Sequence, residues 1–210
     1  MLSHTCHSAK DKTAIVLWLH GGCFTHGNRS WSSHVVNHLT ERQLEVYTVD
    51  LPQGPEHPWP EARQHLLNLY QFIEKTNPGV PVHVGGESSG AFFAYDTAVQ
   101  CNAPRCVMLC PVLDPWKRYQ DFGPDHKKSA MQLAYFGTVR KMARASAEVA
   151  DKKPCSTKVT SVIGDCDTDA CLGTLNTHEI ITVGGTHALC SHPSVDALRA
   201  IADGFLKNDC

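Results

Sequence analysis

Short apolar runs alternate with longer amphipathic segments along most of the chain. The run at 14–19 is apolar at every position, which favours a strand buried on both faces of a sheet. Segments 31–42 and 61–76, the second preceded by a Pro-rich link at 51–60, carry apolar residues at helical spacing. The same patterns predict further strands at 44–50, 81–84, 105–113, 158–163 and 177–183 and further helices at 91–100 and 193–207. This alternation predicts an α/β fold with a doubly wound, mainly parallel sheet and right-handed crossovers.

A glycine-rich turn follows the strand at 81–84 and presents a candidate nucleophile. Residues 86–90 read Gly-Glu-Ser-Ser-Gly, which fits the G-x-S-x-G pattern of a serine held in a strained turn between a strand and a helix. A serine hydroxyl attacks at neutral pH only when a base accepts its proton and hydrogen-bond donors stabilise the substrate oxygen. Ser88 therefore predicts an oxyanion loop upstream and an acid and a histidine downstream. Glu87 is expected to anchor the turn rather than to react.

Two adjacent glycines follow the first apolar strand, in the string His20-Gly21-Gly22-Cys23. Glycines at that place let backbone N–H groups turn toward a ligand, although a plain glycine turn produces the same string. We expect the N–H groups of Gly22, Cys23 and Ser89 to form an oxyanion hole. We expect His20 to brace the loop.

The candidate acid and base each follow a predicted strand. Three aspartates, Asp165, Asp167 and Asp169, cluster after the strand at 158–163. His187 lies in a glycine-containing loop after the strand at 177–183. Serine, aspartate and histidine, in that order and each just beyond a strand, form the chain order of one known type of serine-hydrolase triad.

The segment from 115 to 153 interrupts the alternation, because it contains no convincing strand. Basic residues alternate there with apolar residues that follow roughly one helical face, namely Ala130, Leu133, Ala134, Val139, Met142 and Ala143. This pattern predicts a small helical cap beside the mouth of the site at Ser88. Five aromatic side chains could form either the wall of that mouth or the core of the cap: Trp116, Tyr119, Phe122, Tyr135 and Phe136.

Composition and charge narrow the choice of partners. The 19 basic and 21 acidic side chains are mixed along the chain and give a formal net charge of −2, so we expect no nucleic acid or anionic membrane as a partner. With 210 residues, 42% of them hydrophobic, one domain over 1–210 is expected. Residues 1–13 are polar and lack a signal-peptide core or a membrane span, which predicts no membrane insertion and a cytoplasmic location. The sequence is also compatible with a homodimer.

The ten cysteines are scattered and form no C-x-x-C pair, so a zinc site is not expected. Without a secretion signal, they are expected to be reduced and structural. A serine, histidine and aspartate triad needs no metal or organic cofactor, and none is expected.

Taken together, these motifs resemble the α/β-hydrolase superfamily, most closely the hormone-sensitive-lipase-type esterases and their kynurenine-formamidase-like relatives. Members carry an H-G-G-G-like loop and a G-[DE]-S-[AS]-G elbow, and the resemblance covers nearly the whole chain. It implies an α/β-hydrolase fold with Ser88 as nucleophile and His187 as base. The family acid lies three residues beyond a small residue at a strand end, which selects Asp167 over Asp165 and Asp169.

The sequence departs from the family pattern in three places. Cys23 replaces the third glycine of the oxyanion loop and is expected to restrict the size of the acyl group. The strands and cap helices that precede the oxyanion strand in the family are expected to be missing or reduced. The interval from residue 167 to 187 is short. These departures imply a minimal hydrolase with an open or shallow acyl site.

The resemblance implies hydrolysis of small carboxylic esters in two steps of acyl transfer, with a small-molecule ester or amide as the partner. An amidase or formamidase would use the same triad. A non-catalytic binding protein can also have this fold, because fold does not determine function. A thiol activity through Cys23 would require a lowered pKa that no pattern in the sequence indicates.

Overall fold

A seven-stranded sheet forms the centre of the computed structural model, which describes residues 2–53, 57, 59–173 and 179–207. The strands, in chain order, are β1 His4–His7, β2 Ala14–Leu19, β3 Leu44–Val49, β4 Val82–Glu87, β5 Arg105–Leu109, β6 Lys158–Gly164 and β7 Glu179–Val183. Their spatial order is β1-β3-β2-β4-β5-β6-β7, and every neighbouring pair is parallel except β1 with β3. The predicted mainly parallel α/β sheet is confirmed.

Helices cover both faces of the sheet. They are α1 Ser33–Glu41, α2 Trp59–Thr76, α3 Ser89–Cys101, α4 Pro115–Phe122, α5 Lys127–Phe136, α6 Val139–Ala150 and α7 Val195–Leu206, with a 3-10 turn at His187–Cys190 before the last. Alternate side chains of β2 enter different layers: Ile15 and Leu17 pack with α2 and α3, whereas Val16 and Trp18 pack with α1 and α7. The continuous apolar run of β2 is therefore explained by helices on both faces.

The first strand was not predicted. β1, with the sequence His-Thr-Cys-His, pairs antiparallel with β3 at the edge of the sheet. Its polar residues carry no hydrophobic alternation, because an edge strand buries little of its surface. The strands before β2, expected to be missing or reduced, are therefore not all missing: one antiparallel strand precedes β2.

The observed bounds of other strands differ from the predicted ones by a few residues. β5 ends at Leu109 rather than at 113, because Cys110 has a left-handed backbone with φ 46°. β4 continues to Glu87 and carries the chain directly into the turn at Ser88. Residues 54–56 and 58 of the Pro-rich link, and 177–178 at the predicted start of the last strand, lie outside the described residues.

The segment at 115–153 is helical, as predicted, but its buried face is different. Gly137, with φ 76°, ends α5, and Thr138 caps a separate helix, α6, by accepting a hydrogen bond from Lys141 N. The break separates α5 from α6, so no single helical face runs through both, and Ala130 and Ala134 of the predicted face are exposed. The buried residues of α5 and α6 are Ser129, Gln132, Tyr135, Phe136, Met142, Ala145, Ser146 and Val149.

Candidate active site

Ser88 lies in a sharp turn between β4 and α3 and has φ 50° and ψ −122°, a backbone conformation that a non-glycine residue adopts only at a cost. Hydrogen bonds fix this turn from both sides. Ser88 N donates to Leu109 O at 2.9 Å, and Ser88 O accepts from Val112 N at 3.0 Å. The strained turn places the serine side chain beyond the carboxyl end of the parallel sheet, as expected for a nucleophile elbow.

The two glycines of the motif are required by close backbone packing. A Cβ atom on Gly90 would lie 2.3 Å from the carbonyl oxygens of both Leu19 and His20. A Cβ atom on Gly86 would lie 2.8 Å from Gly90 O. The start of α3 therefore packs directly against the end of β2, which brings the elbow close to the loop after β2.

A chain of hydrogen bonds joins the three predicted side chains. Ser88 Oγ lies 2.9 Å from His187 Nε2, and His187 Nδ1 lies 3.1 Å from both carboxylate oxygens of Asp167. A carboxylate at Nδ1 fixes the tautomer with the proton on that nitrogen, so Nε2 presents its lone pair to the serine hydroxyl. The side chain of Asp167 is fully buried, whereas that of His187 is 20% exposed. We call these residues the candidate triad.

Asp167 is held in its ionised form. Burial raises its pKa, but interactions with His187, the Cys110 thiol and the Asp169 backbone outweigh burial and hold the pKa well below its usual range. Oδ1 accepts from the backbone N–H groups of Asp169 at 2.8 Å and Ala170 at 3.0 Å. The carboxylate is therefore charged and oriented at neutral pH.

The two neighbouring aspartates lie elsewhere. Asp165 is exposed and accepts from Gly185 N at 2.9 Å, which links the ends of β6 and β7. Asp169 forms ion pairs with Lys128 and, at 3.3 Å, with Arg118. Of the three aspartates, the structure brings only Asp167 to the imidazole of His187.

The loop after β2 has an unusual backbone. Gly22, Cys23 and Phe24 have φ values of 127°, 52° and 69°, and a Cβ atom on Gly22 would lie 1.6 Å from His26 O. Phe24 N donates to Ser89 Oγ at 3.3 Å, which ties the loop to the first turn of α3. Within the described part of the chain, the N–H groups of Gly22, Cys23 and Ser89 have no protein acceptor. They remain free to bind a substrate oxygen.

The buried side chain of His20 holds the loop after β2 in place. His20 Nε2 accepts from Leu51 N at 3.2 Å, so Nδ1 carries the proton and donates to Gly21 O at 2.6 Å. Burial lowers the pKa of His20, which keeps the ring neutral as these bonds require. The expected bracing by His20 agrees with this arrangement.

Glu87 connects the elbow to the same loop. Its Oε1 accepts from Gly21 N at 3.4 Å and from Ser32 Oγ at 3.1 Å. Burial raises the pKa of Glu87 to about 7, although the hydrogen bonds from Ser32 and Gly21 oppose the rise. The carboxyl group therefore joins three segments and lies close to its protonation midpoint near neutral pH.

A cavity of about 390 Å³ opens above Ser88. Its lining residues are Gly21, Gly22, Cys23, Trp31, Glu87, Ser88, Lys128, His187, Cys190 and Ser191. Sequence reasoning missed four of these, Trp31, Lys128, Cys190 and Ser191. Proximity along the chain to His187 could have identified Cys190 and Ser191, whereas no local signal marks Lys128, which reaches the site from α5.

None of the five aromatic residues considered for the wall lines this cavity. Tyr135 and Phe136 pack instead against Phe24, with ring centroids 5.5 and 5.3 Å apart. Trp116 and Tyr119 stack on each other at 5.8 Å and pack against the core. The wall hypothesis is wrong and the core alternative describes these four residues. Phe122 stacks on His126 at 4.6 Å, away from the cavity.

One group of potential metal ligands lies beside the candidate triad. It consists of Cys110, His187 and Cys190, whose ligand atoms all lie within 4.8 Å of one another. The absence of a C-x-x-C motif gave no indication of this group, because its members come from two distant parts of the chain. Among the described helices, none is both long and apolar enough to cross a membrane.

Known proteins with related sequences or structures include several esterases. A protein named esterase from Acinetobacter venetianus is 33% identical over 111 residues, which cover 49% of this chain and 36% of that relative. The hyperthermophilic esterase from Pyrobaculum calidifontis superposes with a TM-score of 0.76 at 18% identity, covering 95% of this chain and 76% of that one. Carboxyl esterase 2 from Tuber melanosporum gives 0.68 at 18% identity, covering 97% and 79%. These structural similarities show the fold.

The family assignment comes from a sequence model. A family model described as an alpha/beta hydrolase fold matches residues 16–190. The match runs from β2 to the end of the 3-10 turn and includes the loop after β2, the turn at Ser88, Asp167 and His187. The chain therefore belongs to this α/β-hydrolase family.

Proposed function

We propose that the protein is a serine hydrolase that cleaves small carboxylic esters through an acyl-enzyme. The observation that carries the proposal is the 2.9 Å contact between Ser88 Oγ and His187 Nε2, with Asp167 at the opposite ring nitrogen. A hydroxyl and a base in hydrogen-bond contact, with the base oriented by a carboxylate, are the requirements for an activated serine. The Acinetobacter venetianus relative, named an esterase, supports the same reaction class.

The first step forms the acyl-enzyme. His187 Nε2 accepts the proton of Ser88 while Oγ attacks the ester carbonyl carbon. Negative charge moves to the carbonyl oxygen, where the N–H groups of Gly22, Cys23 and Ser89 receive it. The imidazolium then returns its proton to the leaving alcohol, and the carbonyl re-forms on Ser88. Asp167 stays ionised and stabilises the charged imidazole.

The second step releases the acid. A water molecule in the cavity gives a proton to His187 and attacks the acyl carbon, and the same three N–H groups stabilise the second oxyanion. Collapse of this intermediate returns the proton to Ser88 Oγ and frees a carboxylic acid. The chain's own side chains and backbone are sufficient for both steps.

The shape of the cavity supports a small acyl group. Its volume is about 390 Å³, and Cys23 of the loop after β2 is one of its lining residues. Pockets for small molecules measure about 300–1,000 Å³, so this cavity lies near the lower end of that range. We therefore propose short-chain esters as substrates, with amides and N-formyl compounds as the alternative class for the same triad.

Labelling with a fluorophosphonate, followed by mass mapping of the adduct, tests serine activation whichever substrate the enzyme takes. The wild type is expected to carry the label on Ser88, and Ser88→Ala is expected to lose both the label and the hydrolysis of short nitrophenyl esters. Ser191→Ala is the matched control, because Ser191 lines the same cavity without a histidine partner. Esterase activity that survives in Ser88→Ala would overturn the proposal. Faster turnover of N-formyl substrates than of esters would assign the formamidase class instead.

A further inference from the structure

Two cysteine thiols and the imidazole of the candidate triad converge at the carboxyl end of the sheet. Cys110 immediately follows β5, whereas His187 and Cys190 lie in the 3-10 turn after β7. Sγ of each cysteine and one ring nitrogen of His187 all lie within 4.8 Å of one another. Two sulfurs and one imidazole nitrogen form a ligand set that favours thiophilic divalent cations.

The backbone fixes this convergence. Cys110 has a left-handed φ of 46°, and its N–H donates to Val162 O at 2.8 Å, so the kink at the end of β5 is hydrogen-bonded in place. Cys190 Sγ lies 3.8 Å from Leu109 O, which holds its thiol against the end of the same strand. The Cys110 sulfur likewise lies within 4.8 Å of a ring nitrogen of His187. Both thiols therefore lie beside the candidate triad.

Solvent reaches the group through the substrate cavity. Cys190 and His187 both line the cavity above Ser88, whereas Cys110 is fully buried behind them. An ion entering from the cavity would meet one sulfur and one nitrogen first and the second sulfur next. The arrangement therefore provides both the ligands and a path to them.

We propose that Cys110, Cys190 and His187 bind a thiophilic divalent cation, Zn²⁺ or Cd²⁺, and that this binding inhibits the hydrolase. Zn–S bonds of about 2.3 Å and Zn–N bonds of about 2.0 Å place tetrahedral ligand atoms about 3.5–3.8 Å apart. The ligand atoms now lie within 4.8 Å of one another, so their separations need to close by about 1.3 Å at most for these bonds to form. Each thiol loses its proton to solvent on binding, so two thiolates balance the charge of the cation.

Coordination of the metal by His187 would inhibit the hydrolase, an inference that rests on the proposed function. A cation at Nε2 would occupy the lone pair that faces Ser88 Oγ, which lies 2.9 Å away. A cation at Nδ1 would displace the hydrogen bond to Asp167. In both arrangements the imidazole can no longer accept the serine proton in the required orientation.

The experiment uses Cd²⁺ with the metal-free full chain. Binding is followed by the thiolate-to-cadmium charge-transfer absorption, and its effect is followed by the rate of fluorophosphonate labelling, normalised to each variant's own metal-free rate. Cys110→Ser and Cys190→Ser remove one sulfur each, and Cys155→Ser removes an exposed cysteine as the matched control. X-ray absorption of the cadmium complex of the wild type counts the sulfur ligands without any substitution.

The proposal expects one Cd²⁺ per chain, two sulfur ligands, and labelling that slows with occupancy and recovers with a chelator. Loss of a direct ligand should weaken binding at least as much as loss of an outer-shell partner, by about a hundredfold or more. Cys155→Ser should match the wild type. Equal binding in all variants, or fewer than two sulfur ligands, would overturn the site, and full occupancy without slower labelling would overturn the inhibition. If the wild type takes no label without metal, the proposed function fails while the absorption data still decide the site.

Discussion

The raised pKa of Glu87 predicts a particular pH dependence of stability. Glu87 is 2% exposed, and burial raises its pKa from 4.5 to about 7. Between these two values the unfolded chain releases the proton while the folded protein keeps it. The folded state is therefore destabilised relative to the unfolded state as the pH rises from about 4.5 to 7.

The magnitude follows from the size of the pKa change. A pKa difference of one between the folded and unfolded states changes the free energy of unfolding by about 1.4 kcal/mol. A rise from 4.5 to about 7 therefore corresponds to about 3 kcal/mol. Glu87→Gln removes the titration and keeps an oxygen that can accept from Gly21 N and Ser32 Oγ. The variant is therefore expected to gain about 3 kcal/mol relative to the wild type between pH 4 and pH 8. A pH-independent cost of the substitution changes the stability difference equally at pH 4 and at pH 8, so it does not affect this gain.

Urea unfolding, followed by circular dichroism at several pH values, measures this difference. Titration of other groups, such as Asp167, cancels because both proteins contain them. Glu148→Gln is the contrasting control: burial raises the Glu148 pKa, but Arg144 and Arg63 outweigh burial and lower it. That control should lose stability relative to the wild type as the pH rises, the opposite sign. A difference between Glu87→Gln and the wild type that does not change with pH would refute the reasoning.

Three further substitutions test the candidate site. Asp167→Asn should lower kcat about 10⁴-fold by selecting the wrong imidazole tautomer, whereas Asp165→Asn should change it little; a larger loss at Asp165 in steady-state kinetics would contradict the assignment. Gly90→Ala should cost about 3 kcal/mol in urea unfolding, since its Cβ would lie 2.3 Å from backbone oxygens, and Gly184→Ala, with open space around it, should cost little. Cys23→Gly should raise kcat/KM for nitrophenyl hexanoate relative to acetate about tenfold, and an unchanged ratio would show that the Cys23 side chain does not limit the acyl group.

The parts of the site that lie directly after strands could be predicted from sequence. In a parallel sheet the carboxyl ends of all strands meet at one edge, so residues that follow different strands come together. The loop after β2, Ser88 after β4, Asp167 after β6 and His187 after β7 obey this rule. Local composition marks each of them, because glycines permit the turns and the motif names the nucleophile.

Features that depend on packing between distant segments could not be predicted in the same way. The buried face of α5 depends on the aromatic cluster around Phe24, which leaves no periodic signal in the sequence. Lys128 reaches the cavity because α5 packs over the carboxyl end of the sheet, and its pairing with Asp169 links the cap to the loop after β6. The meeting of Cys110 and Cys190 likewise requires the pairing of β5 with its neighbours.

Backbone strain is concentrated where the chain leaves β2, β4 and β5. Seven non-glycine residues in the described ranges have positive φ. Four of them lie at this one edge of the sheet: Cys23, Phe24, Ser88 and Cys110. Each such residue costs about 1–3 kcal/mol and persists only when surrounding contacts hold it. Those contacts are mutual, because Ser88 N donates to Leu109 O and Phe24 N donates to Ser89 Oγ. The turn at Ser88, the loop after β2 and the kink after β5 therefore support one another, so loosening one of them is expected to weaken the geometry of all three.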